Sequence, residues 1–418
     1  HPEGHREEQR GGDAGLAVLR ELGVTGRRVP DDVAGRVLAA AEIGPGELGD
    51  FAGRGGAAVV LAGGTPTAHA VIVARGLGLP VVLGAGGLLD AVADGTPVAV
   101  DGDTGAVEVD PPDAADRARE LAVQHERRRA ERADAAAPVQ VRGRPVVVAA
   151  NIGSAAEARA AVQFGADAVG LLRTELLVLD RDDLPDEDTQ VADLRAVLAE
   201  LGGRPVTVRV LDAGGDKPVR ALRLDPVRNG FLGVRGLRWL LANPDVLHTQ
   251  LRAVCRAADG YGGTMAVMAP MVTFAAEMRA FRDAVDVAVA SLVADDTPHA
   301  RPGSVGAMIE VPAAALAAGD IAQVADFLSL GTNDLTSYTM AADRTQADVA
   351  ALLDPHATAL WRLVQLVGED ARGRAELAVC GEMAAVPEFA ERFVQCGFSE
   401  LSVAPAAIPG LKRHLRGR

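Results

Sequence analysis

The sequence predicts a mixed α/β protein: a small α/β domain, a charged helical arm and a (β/α)8 TIM barrel. Eight short β-rich runs follow Pro138, each separated from the next by a helical stretch, the signature of βα units around a parallel sheet. The stretch 138–418 can supply the about 250 residues that a closed barrel takes. Upstream, a compact α/β pattern at 35–110 is followed by a segment charged nearly all round, which suggests a solvent-bridging helix between two domains.

Taken in order, residues 13–29 (DAGLAVLRELGVTGRRV) place Leu and Val at helical spacing but are too few to form a core. The chain begins at His1 in a polar stretch, so residues 1–34 are read as the remnant of a larger helical region. Within 35–110, strands are expected in AAVVLAG and LPVVLG, and the DG-rich centre of VAVDGDTGAVEV is expected to turn a hairpin. Pro111 and Pro112 open the arm, 111–137, in which about 25 helical residues would span roughly 37 Å. Such an arm offers little apolar area to hold either domain, which predicts a small domain that swivels. The barrel strands are expected from Val146, Ala168, Val206, Met265, Val305, Asp326, Leu377 and Glu400.

Composition narrows the function. The chain has 418 residues, 49% of them hydrophobic, yet no run reaches the roughly 18 apolar residues of a membrane span. The polar first residues carry no signal-like apolar core, which predicts a cytoplasmic protein without membrane insertion. Three cysteines in no framework spacing fit a reducing compartment. A formal net charge of -15 opposes nucleic-acid binding, so any anion needs a local cluster of cations.

Such a cluster is present. Arg173 and Glu175, Arg209 and Asp212, Glu310, Asn333 and Asp334, and Cys380 and Glu382 fall at the C-terminal ends of their runs, where barrel active sites are built. Arg173, Arg209, Arg235 and Arg344 with Lys217 make a cationic clamp suited to phosphate and carboxylate. Glu310 and Asp334 beside them are hard oxygen donors suited to Mg2+. Cys380 could exchange a proton at carbon. Each also has a structural alternative: Asp334 as a helix N-cap, Cys380 as a small core residue. In the small domain, GGTPTAHAVIVARG puts His69 in the first turn of an apolar helix, where the dipole favours a neutral imidazole and an attached anion.

These motifs carry a resemblance. LLRTELLVLDRDDLP, RVLDAGGDKP, FLGVRGLR, MIEVPAAAL, LSLGTNDLTSYTMAADR and VCGEM follow, in order, the motifs of the phosphoenolpyruvate-binding barrel of Enzyme I of the bacterial phosphotransferase system. GGTPTAHAVIVAR resembles its phosphohistidine motif, and the match runs from about residue 13 to 410. The resemblance implies a Mg2+-dependent phosphotransferase that moves the phosphoryl group of phosphoenolpyruvate to His69, releases pyruvate and passes the phosphoryl on to the carrier protein HPr. It implies Arg173, Arg209 and Arg344 on the phosphate with Asn333 beside it, Glu310 and Asp334 on the metal, and Cys380 as the acid that protonates the enolate. Lys217 and Arg235 match further substrate-site positions, residues 1–34 the end of a carrier-docking region, and the family implies a homodimer. Ala68, Ala385 and Val386 depart from the pattern. The other readings are a fragment of a pyruvate phosphate dikinase or phosphoenolpyruvate synthase, which would need an ATP-binding domain, and a catalytically silent regulatory relative.

Overall fold

The computed structural model describes residues 17–21, 33–41, 43, 45–62, 74, 77, 79–101, 106–111, 138–175, 178, 181, 183–213, 221, 232–343 and 346–417. The chain divides into two compact units, His1–Ala133 and Asp134–Arg418. His69 with Ala68, Lys217, Arg344 and the arm from Pro112 to Ala137 lie outside the described residues.

The first unit contains a four-stranded parallel sheet in chain order: β1 (Ala17–Glu21), β2 (Arg36–Ala40), β3 (Ala58–Leu61) and β4 (Val81–Val82). Strand β1 corrects the helical reading of 13–29, because Ala17 to Glu21 pair residue for residue with Arg36 to Ala40. An exposed ladder edge on β2 outweighs the weak helical preference of AVLRE. The helix Pro45–Gly53 carries the chain between the parallel strands β2 and β3, as a crossover must. Strands β2 and β3 are buried on both faces, which is why they read as apolar runs. Val37, Ala39, Val60, Val82, Leu88 and Val100 pack on one side, and Leu38, Ala40, Leu48, Phe51, Val59 and Leu61 on the other. Gly56 is required beneath Phe51, whose ring fills the space a Cβ would take. The strands of the expected hairpin, β5 (Val98–Asp101) and β6 (Ala106–Val109), pair antiparallel, and its turn at 102–105 lies outside the described residues.

The second unit is a closed barrel. Its strands are β8 (Arg144–Ile152), β9 (Val169–Arg173), β10 (Val206–Arg209), β11 (Met265–Ala269), β12 (Ser304–Ile309), β13 (Phe327–Leu330), β14 (Glu376–Val379) and β15 (Glu400–Val403). Each pairs parallel with the next, and β15 returns to β8 with Glu400 opposite Val147 and Val403 opposite Ala150. A short β7 (Val139–Val141) folds antiparallel onto the start of β8.

The intervening helices start where their sequences say they should. Ser154 caps the helix Ala155–Gln163 by accepting from Glu157 N at 3.2 Å, Asp186 caps Glu187–Leu201 from Thr189 N at 2.9 Å, and prolines 244, 312 and 387 stand at first positions. The last helix, Ile408–Arg416, is fastened to the barrel by buried Lys412, whose Nζ donates to Gly165 O at 2.7 Å and Asp167 Oδ1 at 2.5 Å. Asp167 Oδ2 in turn accepts from Val148 N at 2.9 Å, so helix and first barrel strand are tied through one carboxylate.

Candidate active site

The polar ends of the barrel strands meet at one rim. Arg209 ends β10 and is 5% exposed, with its Nη2 on Glu175 Oε1, just past β9, and 3.6 Å from Asp212 Oδ2. Glu175 Oε1 also accepts from Asp212 N at 3.0 Å, so one carboxylate fixes both the guanidinium and the loop that follows it. Burial opposes the charge on Arg209, but Glu175, Asp212 and Glu310 together outweigh it and raise its pKa, so the guanidinium stays charged.

Arg235 is 1% exposed and bonded to two carboxylates. Its Nε and Nη2 donate to the two oxygens of Asp212 at 3.0 and 2.9 Å, and Nη2 also reaches Asp334 Oδ2 at 2.9 Å. The residue expected on the substrate thus also bridges two carboxylates. The next residue, Gly236, has φ 58° and would press a Cβ against Asp212 Oδ1 at 3.1 Å, so glycine lets the loop turn close beneath this pair.

Glu310 follows β12 and accepts from Met271 N at 2.7 Å. Burial first, then the nearby Asp334 and Asp212 carboxylates, push its carboxyl up to about 7. Asp334 lies in the first turn of the helix Thr332–Met340, whose N-cap is Gly331, so it does not fill the capping role. Across this buried group, two guanidiniums, of Arg209 and Arg235, face four carboxylates, of Glu175, Asp212, Glu310 and Asp334. With Glu310 pushed toward its neutral form and Arg173 at the same rim, the charges are close to balanced; the oxygens of Glu310 and Asp334 are of the kind that suits Mg2+. Among the described residues no three His, Cys, Asp or Glu side chains converge as a metal cage. A Mg2+ ion here would take its other oxygens from water and a bound phosphate, its common habit.

Cys380, directly after β14, is 4% exposed and packs with Leu171, Met268, Met308 and Phe327. Burial pushes its thiol up to about 11, against the opposing pull of Ser329 and Arg209, so it stays protonated at neutral pH. Asn333 accepts at Oδ1 from Glu382 N at 3.0 Å, which links it to the Cys380 loop. Arg173, half-buried at the end of β9, lies near Glu157 and favours its ionised form against the stronger effect of burial. The structure therefore brings together Arg173, Arg209, Arg235, Glu310, Asn333, Asp334 and Cys380 around one rim.

Sequence reasoning put Glu175 and Asp212 at this rim without a role; they are the counter-charges that hold the arginines. It passed over Asn151, although a lone polar residue near the end of the apolar run VVVAANI was a signal.

Residues 127–418 match the family described as PEP-utilising enzyme, PEP-binding domain, and residues 33–105 match PEP-utilising enzyme, mobile domain. A phosphoenolpyruvate-protein phosphotransferase of Streptomyces coelicolor is 41% identical over 401 residues, covering 95% of this chain and 70% of that protein. The chain belongs to the phosphoenolpyruvate-protein phosphotransferase family, the Enzyme I family. It is thereby a phosphotransferase by family, with the barrel and small mobile domain that family has. The Haloferax volcanii protein of the same name is 40% identical, over 90% of this chain and 66% of that protein. A multiphosphoryl transfer protein of Xanthomonas campestris pv. campestris is 39% identical, over 91% of this chain and 45% of that protein. The chain thus spans about half to two thirds of the length of most of the relatives it matches. Among the described residues no helix is long and apolar enough to cross a membrane.

Proposed function

We propose that this chain performs the first chemical step of Enzyme I: phosphoenolpyruvate binds at the barrel rim and gives its phosphoryl group to His69. The observation that carries the reading is the buried, charge-compensated pairing of Arg209 with Glu175, and of Arg235 with Asp212 and Asp334, beside a thiol that stays protonated.

Arg209, Arg173 and Arg344, with Asn333 beside them, hold the phosphate, and Lys217 adds charge. Their fixed donors stabilise the charge of the transferring phosphoryl group, which needs positioning more than covalent help. Arg235 acts one step back, keeping Asp334 in place. Mg2+, when bound by Glu310 and Asp334, neutralises charge on the phosphate and orients it. The bond from phosphorus to the enol oxygen breaks, a bond from phosphorus to an imidazole nitrogen of His69 forms, and enolpyruvate remains as its enolate. The Cys380 thiol then gives its proton to the methylene carbon, yielding pyruvate. The phosphoryl group on His69 goes onward to HPr, the protein working in the cytoplasm as a homodimer.

Incubation with 32P-phosphoenolpyruvate and Mg2+ tests this. One acid-labile label per chain is expected, lost in His69→Ala and reduced on the order of 10² to 10³ in rate in Arg209→Ala. An unlabelled wild type, or a labelled His69→Ala, would overturn the assignment.

A further inference from the structure

Asn151 occupies the seam at which the barrel closes. It lies near the end of β8, the first barrel strand, and its side-chain amide is fully engaged. Nδ2 donates to Cys380 O at 2.9 Å and to Ser402 O at 3.1 Å, while Oδ1 accepts from Ser402 Oγ at 2.7 Å. Two carbonyls and one hydroxyl allow only one orientation of the amide. Ser402, on β15, is completely buried, so the clamp on Asn151 is itself fixed.

The bond to Cys380 is not needed to close the barrel. Strand β15 lies between β14 and β8, and the β15–β8 ladder already runs from Glu400 to Val403. The ladder between β14 and β15 ends at Val379, so Cys380 is the first residue beyond it. Asn151 reaches past β15 to hold the carbonyl of that residue. Its neighbours are held from other sides: Cys380 N donates to Leu330 O at 3.0 Å, and Glu382 N to Asn333 Oδ1 at 3.0 Å. Gly381 has no room for a Cβ, which would overlap Thr332 Oγ1. The direction in which the thiol points is set by these restraints and by its own bond to Leu330 O at 3.6 Å, and the Asn151 amide is the one that fixes the carbonyl of Cys380 itself.

We propose that Asn151, clamped by Ser402, is a positioning residue that aims the Cys380 thiol at the carbon it protonates. The proposal rests on the reading of Cys380 as the acid. Losing the amide frees the carbonyl and lets the loop rotate, while Arg173 and Arg209, at the ends of β9 and β10, keep their places. Proton delivery should suffer, and phosphoryl transfer should not.

The experiment is a double-mutant cycle on the full chain with phosphoenolpyruvate and Mg2+, measuring His69 labelling and pyruvate formation by rapid quench. Asn151→Ala is expected to slow pyruvate formation about fivefold or more, the scale of one lost hydrogen bond, with the KM for phosphoenolpyruvate and the labelling rate within about twofold. In a Cys380→Ala background the same change should do nothing further to pyruvate formation. Ser402→Ala should act in the same direction, and serves if Asn151→Ala does not fold. Equal losses of labelling and pyruvate, or an equal effect with and without the thiol, would overturn the proposal. Iodoacetamide labelling followed by peptide mass spectrometry gives a reading independent of turnover. Cys380 reactivity should change several-fold in Asn151→Ala with Cys255 and Cys396 unchanged, and an unchanged Cys380 would overturn the positioning role. A wild type that never labels His69 but whose Cys380 reactivity depends on Asn151 would sink the enzymatic reading and support the restraint.

Discussion

Arg235, in the loop after β10, and Asp334, in the first turn of the helix after β13, are joined by a 2.9 Å hydrogen bond, and Asp212 holds the other side of the same guanidinium. A cation buried between two carboxylates is stable only as a set. Removing it takes a hydrogen-bonded partner from two buried carboxylates, of which Asp212 keeps Arg209 at 3.6 Å. Arg235→Ala should therefore cost on the order of 3–5 kcal/mol of stability, the usual result of breaking a buried pair from one side. Denaturant titration checks this. Arg235→Lys keeps the charge but cannot bridge both partners in the forked geometry, so it should recover only part of the loss. A ligand-facing arginine would instead leave stability nearly unchanged and raise the KM.

Glu400 gives a pH prediction away from the site. It starts β15, and burial, then the neighbouring Glu376, push its carboxyl up to about 7 from an ordinary value of 4.5. The folded state thus holds this proton more tightly than the unfolded state does. Its favourable contribution is complete below about pH 4.5 and is lost as pH rises through about 7. Glu400→Gln should be little different from wild type at low pH and more stable than wild type above pH 7, which melting curves across that range would show. A gap that did not widen with pH would rule out a strained carboxylate.

The fold was legible because its signals are local. The runs starting at Val146, Val206 and Met265 are apolar because both faces of the strand are buried, and they become strands β8, β10 and β11. Glu310 and Asp334 were legible as rim residues because charge appears where each apolar run ends. Two things were not legible. Ala17 to Glu21 could serve as helix or strand by composition, and only the open edge of β2 decides between them. Arg235 was legible as a cation at this rim; that it also faces Asp212 and Asp334 depends on contacts 23 and 99 residues away in the chain.

For the metal, the expected result is a steeper Mg2+ requirement when either donor is neutralised. Asp334→Asn and Glu310→Gln should each need more Mg2+ for His69 labelling. The two will differ in stability. Glu310→Gln removes a carboxyl that burial and its neighbours already disfavour in ionised form, so the metal-free protein should melt no lower than wild type. Asp334→Asn takes a charge from Arg235 and should melt lower. A Glu310→Gln protein with an unchanged Mg2+ dependence would remove that residue from the metal site.

The last prediction concerns the order of events at Cys380. Its thiol, pushed up to about 11 by burial, is almost wholly protonated at pH 7, which suits an acid and not a nucleophile. Its alkylation by iodoacetamide should accordingly be slow at neutral pH and still rising above pH 9, later than an ordinary thiol near 8.5. In turnover the proton is needed only after the phosphoryl group has left. Cys380→Ala should then label His69 at close to the wild-type rate while pyruvate appears slowly, as released enolpyruvate tautomerises in solvent. Arg209→Ala should lose the labelling step itself. Running both variants against a pyruvate assay and a 32P quench separates the two roles. If Cys380→Ala lost labelling and pyruvate in the same proportion, the cysteine would belong to the binding surface, and the acid would have to be sought among other groups at this rim.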